Sequence, residues 1–358
     1  MTRSSNWSYG QASNRPLPTK VRLVVTVVAS LLLAGTIAAI SSGTDKAGAT
    51  TVPIRAAFYY PWFPETWHST DHYTPSLGHY SSIDATVLDT HVTEAKYARL
   101  DAFISSYWGQ GTSTAGRLPL LLNAARAQGF HVAPYYEPES NAKPPTASQL
   151  ASDFTALYKE AQGDTAWLNV NSKPAMFIYN TGNEASCAGL NRIKTASAGR
   201  FYLDVKVFSN YQTCAGQPDS WHQYGPAVGY DQQGSFSATV SPGFYKYSES
   251  RPRMARGVAA FQSNLAKQTA SGAQWQLMTT FNEWGEGTSV EPATRWASAS
   301  GNGQYLDAMR AAYGATIGPS SSPTTTRPSG TPTTSTTSRP ASSSASPGRL
   351  QRDLWPVR

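Results

Sequence analysis

Two glutamates at the end of an apolar run are the residues of this chain that are best suited to acid–base chemistry. Residues 276–281 are apolar, aromatic and β-branched, which is typical of a buried strand, and Glu283 and Glu286 follow directly. Gly285 and Gly287 permit a tight bend, so both acids could converge on one cavity. Close carboxylates acquire separated pKa values, as glycosidic bond cleavage requires. Two solvated loop acids are the alternative interpretation.

Polar and aromatic clusters also end four other strand-like segments. These five clusters are residues 59–62, 107–109, 135–137, 221–224 and 283–286. In a barrel of parallel strands, the carboxyl ends of all strands meet at one mouth. The clusters together predict a single acidic site lined by aromatic rings.

Alternating strand-like and helix-like segments predict the scaffold for this site. The predicted strands are residues 54–60, 102–108, 131–137, 175–179, 201–208, 221–224, 238–241 and 275–281. The predicted helices lie at 84–100, 120–128, from the Thr146 cap to 161, around 190–193, and at 258–265 and 305–312. Eight β/α repeats in about 260 residues match a (β/α)8 barrel of the α/β class. Because the sixth strand is weak and no clear helix follows it, an irregular barrel or a doubly wound sheet stays open.

Charge and composition exclude nucleic acid as a partner of the folded part. The net charge is +7, but residues 1–49 and 318–358 each carry +4, which leaves −1 for the middle. No basic footprint therefore remains between them. The chain has 10 Trp and 19 Tyr with only 14% charged residues, which favours a carbohydrate partner, a polysaccharide or oligosaccharide bound by ring stacking.

The two ends of the chain differ in character from the middle. Residues 23–40 are apolar behind Lys20 and Arg22, and the small residues 47–49 follow, which predicts a secretory signal in residues 1–49. An uncleaved membrane anchor over residues 21–40 is the alternative. Residues 50–317 form the predicted catalytic domain, and the Ser/Thr/Pro-rich residues 318–358 a disordered tail. We therefore expect a secreted or surface-anchored monomer.

Cysteine and histidine usage predicts no metal and no cofactor. Cys187 and Cys214 are the only cysteines, and in an exported protein such a pair favours a disulfide. The histidines include His68 and His222, and none falls in a metal-ligand spacing such as His-x-x-x-His on a helix. For these two side chains, substrate contact and ordinary loop hydrogen bonding are both open.

The motifs resemble those of family 99 glycoside hydrolases, the endo-α-mannosidase and endo-α-mannanase group. The resemblance covers most of residues 53–315 and is carried by residues 58–62, 77–84, 136–138, 240–244 and 281–288 with Glu291-Pro292. It implies retention through a 1,2-anhydro sugar intermediate. Glu283 would be the base for the substrate 2-hydroxyl, and Glu286 the general acid and then the base for water.

The resemblance and the clusters together define an expected substrate site. Its members are Tyr59, Tyr60, Trp62, His68, Trp108, Tyr136, Glu137, His222, Tyr224, Asn282 and Trp284. One position departs from the family, because Gly285 stands where the family has His. The sugar is therefore less defined than the reaction, and two alternatives stay open: an α-1,3-glucanase of family 71 type and a non-catalytic carbohydrate-binding protein on the same scaffold.

Overall fold

Eight parallel strands follow one another around a barrel, in the order in which they occur along the chain. The computed structural model describes residues 53–141, 143–180 and 185–314. The predicted N-terminal signal and C-terminal tail lie outside these residues. The strands are β1 (Ile54–Tyr59), β2 (Ala102–Tyr107), β3 (His131–Tyr136), β4 (Asn169–Val170), β5 (Lys173–Ile178), β6 (Tyr202–Lys206), β7 (Ser220–His222), β8 (Tyr230–Gln233), β9 (Ser237–Val240) and β10 (Trp275–Met278).

The pairing of these strands gives a nearly closed ring. The hydrogen-bonded order is β7, β6, β5, β3, β2, β1, β10, β9, and every one of these pairs is parallel. The short strands β4 and β8 are antiparallel additions to β5 and β9. β7 contacts β9 without ladder hydrogen bonds, which leaves one seam in the ring. The (β/α)8 class predicted from sequence is confirmed.

The outer layer is less regular than the prediction. Its helices are α1 (Ala85–Tyr97), α2 (Ser113–Ala127), α3 (Ala147–Ala161), α4 (Cys187–Ser197), α5 (Val258–Ala270) and α6 (Gly303–Gly314). In the described part of the chain no α-helix follows β6 or β7. The Cys187–Cys214 disulfide, as predicted, joins the start of α4 to the segment after β6. None of the helices described is both long and apolar enough to cross a bilayer.

Local signals explain most helix boundaries. Thr146 and Gln149 form the capping box that begins α3, and the hydroxyl of Thr112 accepts a hydrogen bond from the backbone of Ala115 at the start of α2. α2 begins seven residues before the predicted residue 120. The helix contains Pro119, a residue that usually ends or interrupts a helix. Gly129, with φ +63°, lies just beyond its end as predicted.

Side chains alternate between the two faces of the barrel wall. Phe58 of β1 and Tyr60, which follows the strand, pack in the interior with Tyr135 and Trp275. Tyr59 packs between the sheet and the helices. Each aromatic side chain buried in this way contributes roughly 1.5–3 kcal/mol. The interior is therefore a packed core, and only residues beyond the strand ends form the mouth.

Candidate active site

The two predicted catalytic glutamates lie on a tight loop after β10. Glu283 and Glu286 belong to residues 279–291, which we call the acid loop, and they are only 3% and 9% exposed. The N–H of Glu286 donates to Oε1 of Glu283 at 3.2 Å. The bend that Gly285 and Gly287 are expected to permit thus brings the two residues together, and their chemical roles stay predictions.

The acid loop closes on itself through threonine and glycine. The hydroxyls of Thr280 and Thr288 lie 2.9 Å apart, and the Thr280 hydroxyl also accepts from the N–H of Glu283 at 2.9 Å. Gly287 has φ +62°, and a Cβ at this position would lie 2.8 Å from the carbonyl oxygen of Tyr245. A side chain at 287 would therefore open the loop.

Burial governs the electrostatics of the acid pair. Desolvation raises the pKa of Glu283 well above its usual range, and the charge of Glu286 raises it further. Oε2 of Glu283 is buried and has no hydrogen-bond partner. Oε2 of Glu283 is therefore a buried polar atom that can bond a substrate hydroxyl group.

Glu137 adds a third carboxyl group from the end of β3. It is 5% exposed, and burial raises its pKa from 4.5 to about 8, with the nearby Lys206 opposing this rise and Glu286 adding to it. Its Oε1 is also buried without a hydrogen-bond partner. Two buried carboxyl oxygens without a hydrogen-bond partner, beyond the ends of β3 and β10, suit the hydroxyl groups of a sugar.

Two tyrosines connect the interior of the barrel to the acid pair. The hydroxyl of Tyr60 donates to that of Tyr224 at 2.8 Å, and Tyr224 donates to Oε2 of Glu286 at 3.4 Å. Burial raises the pKa of both phenols well above its usual range, so both stay proton donors. Trp62 stacks on Tyr60, with ring centroids 4.4 Å apart. Tyr60, Glu137, Tyr224, Glu283 and Glu286 are hereafter the carboxylate site.

His68 lies at the edge of the carboxylate site, beside Gly285. A Cβ on Gly285 would lie 3.1 Å from Oε1 of Glu283 and 3.7 Å from the His68 ring. The His68 ring stacks on Tyr247 at 3.5 Å and approaches the Asp71 carboxylate at 3.5 Å. An imidazole from another loop thus occupies the space next to the glycine.

The structure does not bring three of the predicted substrate residues to this site. The hydroxyl of Tyr59 forms a hydrogen bond of 3.0 Å with Nδ1 of His91, and the hydroxyl of Tyr136 donates to Asp153 at 2.8 Å. Both contacts lie on the side of the sheet that faces the helices. Trp284 donates to Glu291 at 3.0 Å and is 1% exposed. Because successive strand residues face opposite sides of the wall, the neighbours Tyr60 and Glu137 face the mouth instead.

Two further predicted contacts have structural roles in this fold. His222 is fully buried, with Nδ1 2.6 Å from Asp204 and Nε2 3.0 Å from the hydroxyl of Tyr135. Asn282 accepts from the backbone N–H of Tyr60 at 2.7 Å and donates to its carbonyl at 3.0 Å. Both side chains therefore have no surface for a sugar. Trp108 is half-buried after β2, with its backbone N–H bonded to Thr114.

Three residues near the site are not predicted from the sequence: Asp71, Tyr179 and Lys206. Tyr179, at the end of β5, packs against Tyr224 and lies under the ammonium group of Lys206, 3.6 Å from its ring centroid. Asp71 raises the pKa of Glu283 through its charge. Position at a strand end could have indicated Tyr179 and Lys206, but nothing local indicates Asp71. Across the described ranges no three metal-binding side chains come together.

Comparison with known proteins places this fold among carbohydrate-active enzymes. No family model matches the sequence, and a search of curated proteins gives no match. Two structures of the GH99 endo-α-mannosidase from Bacteroides thetaiotaomicron superpose with TM-scores of 0.58 and 0.57 at 20% identity, covering 75% and 74% of this chain and 100% and 97% of theirs. A "glycoside hydrolase-like protein" gives 0.55 at 15% identity, over 74% of this chain and 95% of that one.

At these identities the likeness shows the fold. The chain has the fold of these glycoside hydrolase structures, with its acidic residues at the mouth of a (β/α)8 barrel. Its fold is that of the family 99 structures, so the resemblance predicted from the motifs is confirmed at the level of fold.

Proposed function

We propose that the protein is a retaining, endo-acting glycoside hydrolase that cleaves α-linked glycans of the α-mannan type. The observation that carries this proposal is the burial of Glu283 and Glu286 on one loop, next to the acceptor Glu137. Such burial separates the proton affinities of neighbouring carboxyl groups. The fold of the family 99 endo-α-mannosidases supports the same reaction class.

The proposed chemistry passes through a 1,2-anhydro sugar. Glu283 removes the proton of the substrate 2-hydroxyl, whose oxygen attacks the anomeric carbon while Glu286 protonates the departing oxygen. Glu286 then takes a proton from water as the water oxygen attacks the anomeric carbon. The bond from that carbon to the 2-oxygen breaks, and Glu283 returns its proton to the 2-oxygen. Burial and the charge of Glu286 raise the pKa of Glu283, which increases its affinity for the proton that it takes from the 2-hydroxyl.

The remaining members of the carboxylate site hold the sugar. Glu137 accepts from sugar hydroxyls, and Tyr60 with Trp62 provides aromatic surface beside them. His68 supplies a polar ring where Gly285 has no side chain. We also propose that the protein acts outside the cytoplasm, an inference supported by the Cys187–Cys214 disulfide.

Polysaccharide digestion tests the reaction class. We expect the wild-type protein to release oligosaccharides from α-mannan, and Glu283→Gln and Glu286→Gln to release none. Glu160→Gln, on α3 and away from the acid loop, is the control. Release from α-1,3-glucan alone would assign the family 71 type of substrate, whereas binding of glycan without any product would contradict the enzyme proposal.

Two modified substrates test the roles. A substrate without a free 2-hydroxyl cannot form the anhydro ring, so we expect it to stay intact. A glycosyl fluoride needs no acid in the first step, so it should restore fluoride release to Glu286→Gln but not to Glu283→Gln. Rescue of Glu283→Gln instead would reverse the two roles.

A further inference from the structure

One chain segment, residues 243–256, holds the acid loop from outside the carboxylate site. The N–H of Tyr245 donates to the carbonyl of Glu286, and the N–H of Tyr247 to that of Gly285, both at 2.8 Å. Phe244 and Met254 exchange backbone hydrogen bonds of 2.9 and 3.2 Å, which brings the two ends of the segment together. The carbonyl oxygens of Gly285 and Glu286 are thus fixed by backbone groups.

Arg256, at the end of this segment, fixes the next part of the loop. Its guanidinium donates to the carbonyl of Gly287 at 2.8 Å and to that of Ser289 at 2.7 Å. The planar fork of arginine suits two acceptors held side by side, whereas the single ammonium of lysine does not. Arg256 therefore links two carbonyls that lie just after Glu286.

The surroundings of Arg256 are shaped for a guanidinium group. Its Cζ lies 4.0 Å from the ring centroid of Trp296, 4.4 Å from that of Tyr305 and 5.2 Å from that of Tyr73. A Cβ on Gly243 would lie 2.3 Å from Cγ of Arg256 and 3.1 Å from its backbone. Three rings and one glycine thus leave space for this side chain and hold it in place.

We propose that Arg256 is a positioning residue for the acid pair. By fixing the carbonyls of Gly287 and Ser289, it sets the course of the acid loop and so the direction in which Glu283 and Glu286 point. Arg256 acts through the backbone and contacts no reacting atom. This inference rests on the proposed function, because it concerns the placement of the proposed catalytic groups.

Steady-state kinetics of Arg256→Lys and Arg256→Ala on α-mannan test the proposal. A displacement of the acids by about 1 Å should lower kcat on the order of 100-fold. KM should change less than kcat, because Glu137 lies outside the acid loop and stays in place. Arg253→Lys is the matched control, since Arg253 lies in the same segment and pairs with Glu249 at the surface. It should keep wild-type kinetics.

Chemical rescue separates positioning from a general loss of structure. Guanidinium ions at millimolar concentration should occupy the space between the rings and restore part of kcat to Arg256→Ala, but not to Arg256→Lys, whose own ammonium occupies that space. If Arg256→Ala does not fold, as near-ultraviolet circular dichroism of the tryptophans would show, Arg256→Lys carries the test, because it keeps the charge.

The outcomes distinguish the two proposals. A wild-type protein that cleaves α-mannan together with an equally active Arg256→Lys would overturn the positioning role and leave the proposed function standing. Absence of rescue in a folded Arg256→Ala would also overturn it. A wild-type protein that releases no sugar from any α-glycan would overturn the proposed function itself.

Discussion

Two buried histidines form the same three-residue arrangement in two different places. The inner triad consists of Asp204, His222 and Tyr135, which all lie on barrel strands. The outer triad consists of Glu291, His91 and Tyr59, with His91 Nε2 3.2 Å from Glu291 and Nδ1 3.0 Å from Tyr59.

The two triads differ in what they join. The inner triad connects β3, β6 and β7, elements that the parallel ladder already holds together. The outer triad connects β1 and α1 to the acid loop, because Glu291 lies on that loop and also accepts from Tyr80 at 2.8 Å and Trp284 at 3.0 Å. The same groups therefore stabilise the scaffold in one place and hold the candidate catalytic loop in the other.

Removing the acid of each triad gives the largest expected difference. Loss of one partner of a buried ionisable pair costs about 3–5 kcal/mol, and we expect Glu291→Ala near the upper limit and Asp204→Ala near the lower one. Three donors lose their acceptor in the first variant. Only Glu291→Ala should also lower kcat strongly. Urea unfolding and α-mannan hydrolysis measure both effects, and an equal fall in kcat would remove the distinction.

Glu137 is a buried carboxyl group that, unlike the acids of the two triads, has no histidine partner, and it should make stability depend on pH. The pKa of Glu137 is raised from 4.5 to about 8, so its proton stabilises the folded state at low pH, and this contribution is lost as the pH rises through that range. We expect Glu137→Gln to remove about 3–4 kcal/mol of the fall in unfolding free energy between pH 4.5 and 8. Urea unfolding at both pH values measures it.

Glu65→Gln is the control with the opposite sign. Arg117 lowers the pKa of Glu65, so its contribution is lost only as the pH falls. In Glu65→Gln the unfolding free energy should fall between pH 4.5 and 8 by the same amount as in the wild-type protein. An unchanged decline in Glu137→Gln would show that this carboxyl group is not buried as described.

His222 should give a smaller pH dependence of stability than Glu137, in the opposite direction. Burial lowers the pKa of His222, against the opposing effect of Asp204 and with a further lowering by Lys206. The folded state therefore binds this proton less readily than the unfolded state, and stability falls as the pH drops below the unfolded pKa of about 6.5. We expect His222→Gln to remove a slope of at most about 1.4 kcal/mol per pH unit.

Thermal or urea unfolding between pH 7 and 5 would detect this slope. His79→Gln, at the surface, is the matched control and should keep it. The same slope in both variants would assign it to another group.

Single hydroxyl groups give the smallest effects. Tyr59→Phe and Tyr135→Phe each remove one hydrogen bond to a triad histidine, and each should cost about 1 kcal/mol. Tyr59→Phe should leave KM for α-mannan unchanged, whereas Tyr60→Phe, which loses the bond to Tyr224, should raise it. A raised KM in Tyr59→Phe would restore the substrate contact that the sequence predicts.

Hydrophobic periodicity and the polar residues at strand ends explain why the sequence predicts so much of this fold. All eight parallel strands and six helices lie where apolar periodicity indicates, and Glu137, Glu283 and Glu286 follow strands as expected. The error at Tyr59 has a physical cause. Adjacent residues of a strand face opposite sides, so a Tyr-Tyr pair can send only one ring to the mouth.

Long-range pairing sets the limit of sequence analysis. His91 and Glu291 are 200 residues apart, and His222 and Tyr135 are 87 apart, so nothing local indicates either triad. The same holds for Arg256, which reaches carbonyls 31 and 33 residues away. The start of α2 is a different case. Proline disfavours a helix interior, so the sequence predicts the helix only from residue 120, whereas α2 contains Pro119.

The Cys187–Cys214 bridge relates the folding of this chain to the place where it folds. It spans 27 residues around β6, the part of the ring whose following connection has no α-helix in the described chain. Closing a loop of this length restricts the unfolded chain by about 3.5 kcal/mol in the chain-entropy treatment. Thiols stay reduced in the cytosol. Under reducing conditions the chain would therefore lack this contribution, and an oxidising environment would supply it.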